Sequence, residues 1–254
     1  MVTGMWFLPD DDSKPVITAY EQLHSAHRNS HLSLPDTAIV FFMGKAVEYL
    51  ASRSDAVKLP EPFPRFLNRC PIWKIEGSRL CFLNGGSGAP QAADTVETLA
   101  ALGVKNIISV GMCGAYDPKV QPGEIIAPRK AFVEEGTSLH YYESIDFSEP
   151  DKNLHAKAVS TLGLRGYPIV TTDAVYRQTL RKEQLWRAKG AVGVEMETSA
   201  VFSVSKYLGL RAVALLMVSD MHPTAPDDKE WDWSMTEEMR YDLAEKALTL
   251  AKKT

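Results

Sequence analysis

Residues 85–115 read GGSGAPQAADTVETLAALGVKNIISVGMCGA, and their order decides the fold. The first six residues make a glycine-rich turn. Ala92, Val96, Leu99 and Leu102 then recur at helical spacing, and Gly103 is a natural stop for that helix. Residues 106–110 (NIISV) are strand formers, and residues 111–115 (GMCGA) read as a second tight turn. A parallel crossover needs about a dozen residues, and a helix is the usual way to span it. This alternation predicts a mostly parallel α/β sheet.

Upstream, residues 37–43 (TAIVFFM) read as a buried strand and 45–53 as a short helix. The proline-dense stretch 59–65 (LPEPFPR) reads as an extended surface connection, and 72–83 as a hairpin turning near Gly77. Residues 1–35, broken by Pro9, Pro15 and Pro35, hold no sustained period. They read as an N-terminal extension packed on the domain or on a neighbour.

Downstream, residues 124–128 and 131–134 read as strands, 154–162 as a helix and 167–170 as a strand. A helix follows over 197–208, then the continuous apolar run 212–218 (AVALLMV), typical of a parallel strand buried on both faces. An amphipathic helix over 236–253 closes the chain. No repeat or linker divides it, so residues 1–254 are expected to form a single domain.

Composition narrows the function. The 28 Lys and Arg stand against 32 Asp and Glu, a net charge of -4 that argues against nonspecific nucleic-acid binding. No apolar run approaches the roughly 20 residues of a membrane span. Cys70, Cys81 and Cys113 form no CxxC pair, so a disulfide scaffold and a metal site are both disfavoured. The expectation is a cytoplasmic protein without a metal or bound cofactor.

In open α/β sheets ligands bind beyond the carboxyl ends of strands, which singles out five segments. Gly86-Ser87-Gly88 is either an anion cradle at a helix start or a plain turn. A third glycine is missing and position 91 is Gln, so it is not a dinucleotide-binding turn. Residues 111–115 and 171–177 (TTDAVYR) are the next two. Val194-Glu195-Met196-Glu197 offers two carboxylates at a helix start, for the helix dipole or for sugar hydroxyls. Ser219-Asp220 follows the apolar strand and is either a cap or a desolvated acid with a raised pKa.

GGSGAP, SVGMCGA, GEII, TTDAVY, GVEMETSAVF and LLMVSD succeed one another along the chain. In that order they resemble the nucleoside phosphorylase family, which includes hexameric purine nucleoside phosphorylase, uridine phosphorylase, methylthioadenosine nucleosidase and the catalytic domain of AMP nucleosidase. The resemblance spans about residues 36–250, and VEMETSAVF followed by SD is its specific part. It implies a three-layer α/β/α domain with a twisted, partly barrel-like mixed sheet. It also implies a homo-oligomer, a dimer or trimer of dimers, that cleaves the N-glycosidic bond of a small-molecule nucleoside.

Position by position, the resemblance implies that Met196 packs on the ribose and Glu197 holds its 2′ and 3′ hydroxyls, with Val194 and Glu195 in the same turn. Asp220, preceded by Ser219, would protonate or hydrogen-bond purine N7. Val175 and Tyr176 fall where a base-stacking aromatic pair sits. Uracil-cleaving members usually lack the acid and bind the base through a Gln and Arg pair; here Arg177 and Gln178 stand in reversed order. A purine is therefore favoured.

The departures concern the nucleophile. Family phosphorylases carry Gly-Asp-Pro-x-Arg where this chain has Phe41-Phe42-Met43-Gly44-Lys45, an arginine where it has Ser109, and Ser or Thr where it has Met112. Each loss removes charge-assisted donors worth about 1.5–3 kcal/mol when buried, unless Lys45, Arg129, Arg177 or a neighbouring subunit compensates. Gly86, Ser87, Gly88, Ser109 and Met112 are left as the phosphate or water site. Phosphorolysis, with phosphate as co-substrate, ranks first as the family's commonest activity. Hydrolysis follows closely, because residues 111–114 (GMCG), 135–138 (EGTS) and TTDAVYR resemble AMP nucleosidase. Uridine phosphorolysis and a non-catalytic nucleoside-binding or storage role come after. His24, His27 and His31 fit a solvated helix face or a partner's site, and Trp231 and Trp233 a lid or a loop anchor.

Overall fold

The computed structural model describes residues 13–26, 30–223, 228 and 231–254. The chain begins with α1 (Ala19–Leu23), β1 (Thr37–Phe41), α2 (Gly44–Ala51), β2 (Ala56–Lys58), β3 (Ile72–Ile75) and β4 (Leu80–Asn84). It continues through α3 (Ala89–Ala101), β5 (Asn106–Ala115), β6 (Ile125–Ile126), β7 (Lys130–Glu134), β8 (Phe147–Ser148), α4 (Lys152–Leu162) and β9 (Pro168–Thr172). The last elements are α5 (Leu180–Ala188), β10 (Gly193–Glu195), α6 (Thr198–Tyr207), β11 (Arg211–Met221), β12 (Asp232–Trp233) and α7 (Glu237–Ala251).

Alternation along the central strands builds three layers, as a buried parallel sheet requires. Ala38 and Val40 of β1, Ile107 of β5, and Ala212, Ala214, Leu216 and Val218 of β11 share one cluster with side chains of α3 and α6. Ile39 and Phe41, Ile108 and Val110, and Val213, Leu215 and Met217 share the opposite cluster with α2, α4 and α7. The α/β/α architecture implied by the sequence is the one observed.

The sheet is mixed and forks at β5. Over residues 106–110 this strand pairs parallel with β1, while its other edge pairs parallel with β11 along its whole length. Past Val110 the β1 edge is taken over by β10, antiparallel at Gly114 and Ala115. The fork bends the sheet toward a partial barrel and corrects the expectation of a tight turn at 111–115. Those residues stay extended because ladders hold them on both sides. Their glycines permit the close approach: a Cβ on Gly193 would meet the Gly114 carbonyl oxygen at 2.8 Å. Ser219 and Asp220, expected after the strand, likewise lie within β11.

A second correction concerns residues 59–65. Their first half is at the surface, but Phe63, Pro64 and Arg65 are buried. Arg65, 2% exposed, donates to Asn68 O (3.0 Å), Asn84 O (3.2 Å), Thr95 Oγ1 (2.9 Å) and Asn68 Oδ1 (2.5 Å). Thr95 Oγ1 in turn donates to Gly85 O at 2.9 Å. The guanidinium thus ties the proline segment to the end of β4 and the start of the glycine turn. Arg65→Met would orphan buried acceptors at about 1–3 kcal/mol each. A melting temperature lower by roughly 5–15 °C is expected for a chain of this size, read by calorimetry.

Of the N-terminal stretch, α1 carries a capping box between Thr18 and Glu21 and buries Leu23. His24 and His31 are exposed, and His27 lies outside the described residues. Among the described residues no helix is long and apolar enough to cross a membrane.

Candidate active site

Asp220 owes its position to an irregularity. Val218 faces Cys113 and Asp220 faces Gly114, so Ser219 is an extra residue in β11. Such a bulge re-aims the next side chain. It sets Asp220 opposite a glycine, where a Cβ would run into both the His222 ring and the Asp220 carboxylate.

Asp220 is 3% exposed, yet both of its oxygens have donors. Ser219 Oγ donates to Oδ1, Trp231 Nε1 donates to Oδ2 at 2.5 Å, and His222 Nε2 lies 3.1 Å from Oδ2. Burial pushes the carboxyl up, but the bonds from His222, Ser219 and Trp231 outweigh it and hold Asp220 below the ordinary carboxylate range. This corrects the expectation of a raised pKa, which counted desolvation and not the donors. The proton resides on His222. Burial disfavours its charge, but the bonds to Asp220 and Glu183 prevail and push it up to about 9.

The two glutamates of Val194–Glu197 divide the roles that sequence left open. Glu195 ends β10 and turns inward, accepting from Glu197 N (2.8 Å), Thr198 N (2.7 Å), Thr198 Oγ1 (2.8 Å) and the Thr171 hydroxyl. It satisfies amide groups that the start of α6 would otherwise leave open. Burial still raises its carboxyl. Glu197 stands at the N-cap position without a side-chain cap bond, and its Oε1 accepts instead from Gly88 N at 2.6 Å. Burial first, then repulsion by Glu195, raises Glu197 to about 8.

Gly88 opens the question of the glycine turn. Gly86 N donates to Asn84 Oδ1 at 2.8 Å, Ser87 N to Gln91 Oε1 at 2.8 Å, and Gly88 N to Glu197. All three amides already have acceptors, and none of these residues lines the cavity between Asp220 and Glu197. Ser109 is buried in β5, also outside the lining, and its Oγ has no partner among the described residues.

That cavity measures about 570 Å³. It brings together Met112, Val175, Val194, Glu195, Met196, Glu197, Ser219 and Asp220 of the expected site. Tyr176, 96% exposed, and Arg177 stand outside it on a short 3-10 helix. Trp231 and Trp233 line it, and Trp231 bonds to Asp220, so the indoles belong to the site.

Sequence reasoning missed His222 and Glu183, which also line the cavity; Gln178, noted only for its reversed order with Arg177, and Phe42, noted only as a departure at the phosphate turn, line it as well. Glu183 lies on α5, a helix with little apolar patterning; its one legible signal was Thr179, whose hydroxyl caps it by accepting from Lys182 N. The cavity is acidic. Glu183, Glu195, Glu197 and Asp220 face it, and among the described lining residues His222 is the basic one. Lys45 instead pairs on the surface with Glu48 and Glu237, and Arg129 and Arg177 are exposed.

Comparison with known proteins agrees with the architecture. A family model described as the phosphorylase superfamily matches residues 36–254. A guanosine phosphorylase of Halorubrum lacusprofundi is 32% identical over 149 residues, covering 56% of this chain and 61% of that protein. A DeoD-type purine nucleoside phosphorylase of Clostridium novyi is 27% identical over 181 residues, covering 67% and 78%. Among solved structures, a uridine phosphorylase from Vibrio fischeri superposes with a TM-score of 0.70 at 23% identity, covering 87% of this chain and 93% of that one. An AMP nucleosidase from Bacteroides thetaiotaomicron superposes with a TM-score of 0.67 at 22% identity, covering 85% and 87%. These likenesses show the fold.

Proposed function

The chain belongs to the phosphorylase superfamily, and we propose that it cleaves the N-glycosidic bond of a purine nucleoside with water as the nucleophile. The observation that carries this reading is the charge distribution of the cavity. Glu197 and Asp220 both line it, and no lysine or arginine does among the described residues. A volume of about 570 Å³ suits a nucleoside, within the usual range for small-molecule sites.

Glu197 takes the 2′ and 3′ hydroxyls of the ribose, with Met196 against the sugar. Val175 and the indoles of Trp231 and Trp233 wall the base, and Asp220 reaches the purine N7. Breaking the bond builds oxocarbenium character on the ribose and negative charge on the base. A proton delivered on the Asp220 side relieves the base. Water fits an acidic cavity better than phosphate does, because a phosphate dianion beside these carboxylates needs cationic partners.

The likeness to guanosine phosphorylase and purine nucleoside phosphorylase favours a second reading, phosphorolysis to ribose 1-phosphate. It requires a cation brought to the cavity by a neighbouring subunit. Base release from a panel of purine and pyrimidine ribonucleosides, followed by absorbance, tests the common part of both readings. Absence of cleavage across the panel would overturn it.

The raised Glu197 carboxyl makes binding pH-dependent. Sugar hydroxyls donate to the ionised form, so kcat/KM is expected to rise with pH through about 8. A flat profile from pH 6 to 8.5 would contradict the ribose assignment.

The assembly we propose is a homo-oligomer of at least two copies. Ile17, Tyr20, Phe66, Leu67 and Tyr207 are exposed around a second, more apolar groove of about 920 Å³. Large contiguous apolar patches are uncommon on the exposed surface of monomers. Light scattering at micromolar concentration is expected to give at least twice the chain mass; a fully active monomer would refute this.

A further inference from the structure

We propose that His222 is the proton reservoir behind Asp220: an imidazolium clamped between the Asp220 and Glu183 carboxylates, which supplies the proton that Asp220 hands to the leaving base. The proposal rests on the reading of the cavity as a nucleoside-cleaving site.

The ring geometry favours charge. Nε2 lies 3.1 Å from Asp220 Oδ2, and Nδ1 lies 2.8 Å from Glu183 Oε1 and 3.1 Å from Gln178 Nε2. A neutral imidazole has one N–H, so one contact would set a nitrogen lone pair against a carboxylate oxygen. Only the doubly protonated ring donates to both. Glu183 is buried at 6% exposure and its Oε2 has no partner among the described residues. Its Oε1 also accepts from Gln178 Nε2 at 2.9 Å, and this amide fixes the carboxylate that faces Nδ1.

The other groups facing the ring leave this balance unchanged. Tyr116, its ring centroid 6.4 Å away, and Cys113 on β5 are both pushed up by burial and stay protonated. Arg187 of α5 directs its guanidinium to the Tyr116 carbonyl. Trp231 adds a neutral donor on Asp220. Two anions therefore flank one cation, and His222 holds its proton up to about pH 9. The glycine at 114 is part of the device, because any side chain there would displace the ring.

The step balances as follows. The Nε2 proton moves to the ionised Asp220 at Oδ2, and Asp220 then passes that proton to the base nitrogen. The electron pair of the C1′–N bond leaves with the base. Water adds to C1′ and releases a proton to solvent. Neutral His222 regains its proton from solvent at its exposed edge, its side chain being 15% accessible. His222 acts through Asp220 and is a positioning residue.

The test is His222→Gln in the full chain, assayed on inosine and on 7-methylguanosine, whose alkylated base departs without needing a proton at N7. Inosine cleavage is expected to fall about 10²-fold or more, and the decline in wild-type rate above about pH 9 is expected to vanish in the variant. Cleavage of 7-methylguanosine is expected to stay within a few-fold. Equal losses on both substrates, or an unchanged alkaline decline, would overturn the relay. Absence of cleavage by the wild type would overturn the function itself, so the relay is also read without turnover. Nuclear magnetic resonance of the histidine rings in the wild type is expected to show one imidazolium persisting to about pH 9. That imidazolium is expected to be lost in His222→Gln and to titrate lower in Glu183→Gln. An ordinary titration of His222 near pH 6.5 would refute the proposal.

Discussion

Glu197→Gln is expected to lower kcat/KM for ribonucleosides by about 10²–10⁴-fold. Two sugar hydroxyls donating to a carboxylate contribute about 1.5–3 kcal/mol each, and an amide cannot accept both as strongly. Folding should survive, because Gln keeps an oxygen to accept from Gly88 N, the present partner of Glu197. The pH dependence of stability gives an independent check. A carboxyl raised in the folded state binds its proton more tightly there, so stability falls as pH climbs from the ordinary glutamate range through about 8. The variant lacks this group and should melt with a flatter pH dependence, at or above the wild-type temperature at pH 8. A 2′-deoxynucleoside, which has already lost one of the two hydroxyls, should suffer less from the substitution. Equal losses on the two sugars would remove Glu197 from the ribose.

Asp220→Asn carries the second large effect, about 10²–10⁴-fold in turnover on purine nucleosides, the usual contribution of a positioned proton donor. The amide cannot pass a proton, and it presents an NH₂ group to donors that now meet oxygens. Trp231 and Ser219 each lose part of a charge-assisted bond, so melting should drop modestly, by about 1–3 kcal/mol of stability. A nucleoside whose base leaves without protonation should be spared most of the kinetic loss. Measured together, turnover and melting separate chemistry from architecture. A stability loss with turnover intact would leave Asp220 as a structural partner of His222.

Much of the fold could be read from local pattern, because the core strands are continuous apolar runs and the main helices carry a clear period. The run at 212–218 and the helix after GGSGAP were legible for that reason. The extended state of Gly111–Ala115 was not, because glycines signal turns locally while the ladders with β11 and β10 come from distant residues. Arg65 was hidden for a related reason: its acceptors at Asn84 and Thr95 are supplied only by the folded chain. At the site, Glu197 and Asp220 came from the resemblance, and the structure sets them in one cavity with Met196. Tyr176 came from the same source and points to solvent. The sign of the Asp220 shift failed because an apolar strand announces desolvation, while the bulge at Ser219, the ring of His222 and the indole of Trp231 announce nothing in one dimension. Glu183 sits on a mostly polar helix, whose sequence gives no reason to bury a carboxylate.

The identity of the sugar product tests the central claim most directly. The wild-type protein is incubated with a purine ribonucleoside in phosphate-free buffer and again with millimolar phosphate, and the products are separated. Free base and free ribose are predicted to appear at the same rate in both. Ribose 1-phosphate formed only when phosphate is present would contradict water as the nucleophile, and an intact nucleoside in both would contradict glycosidic cleavage altogether.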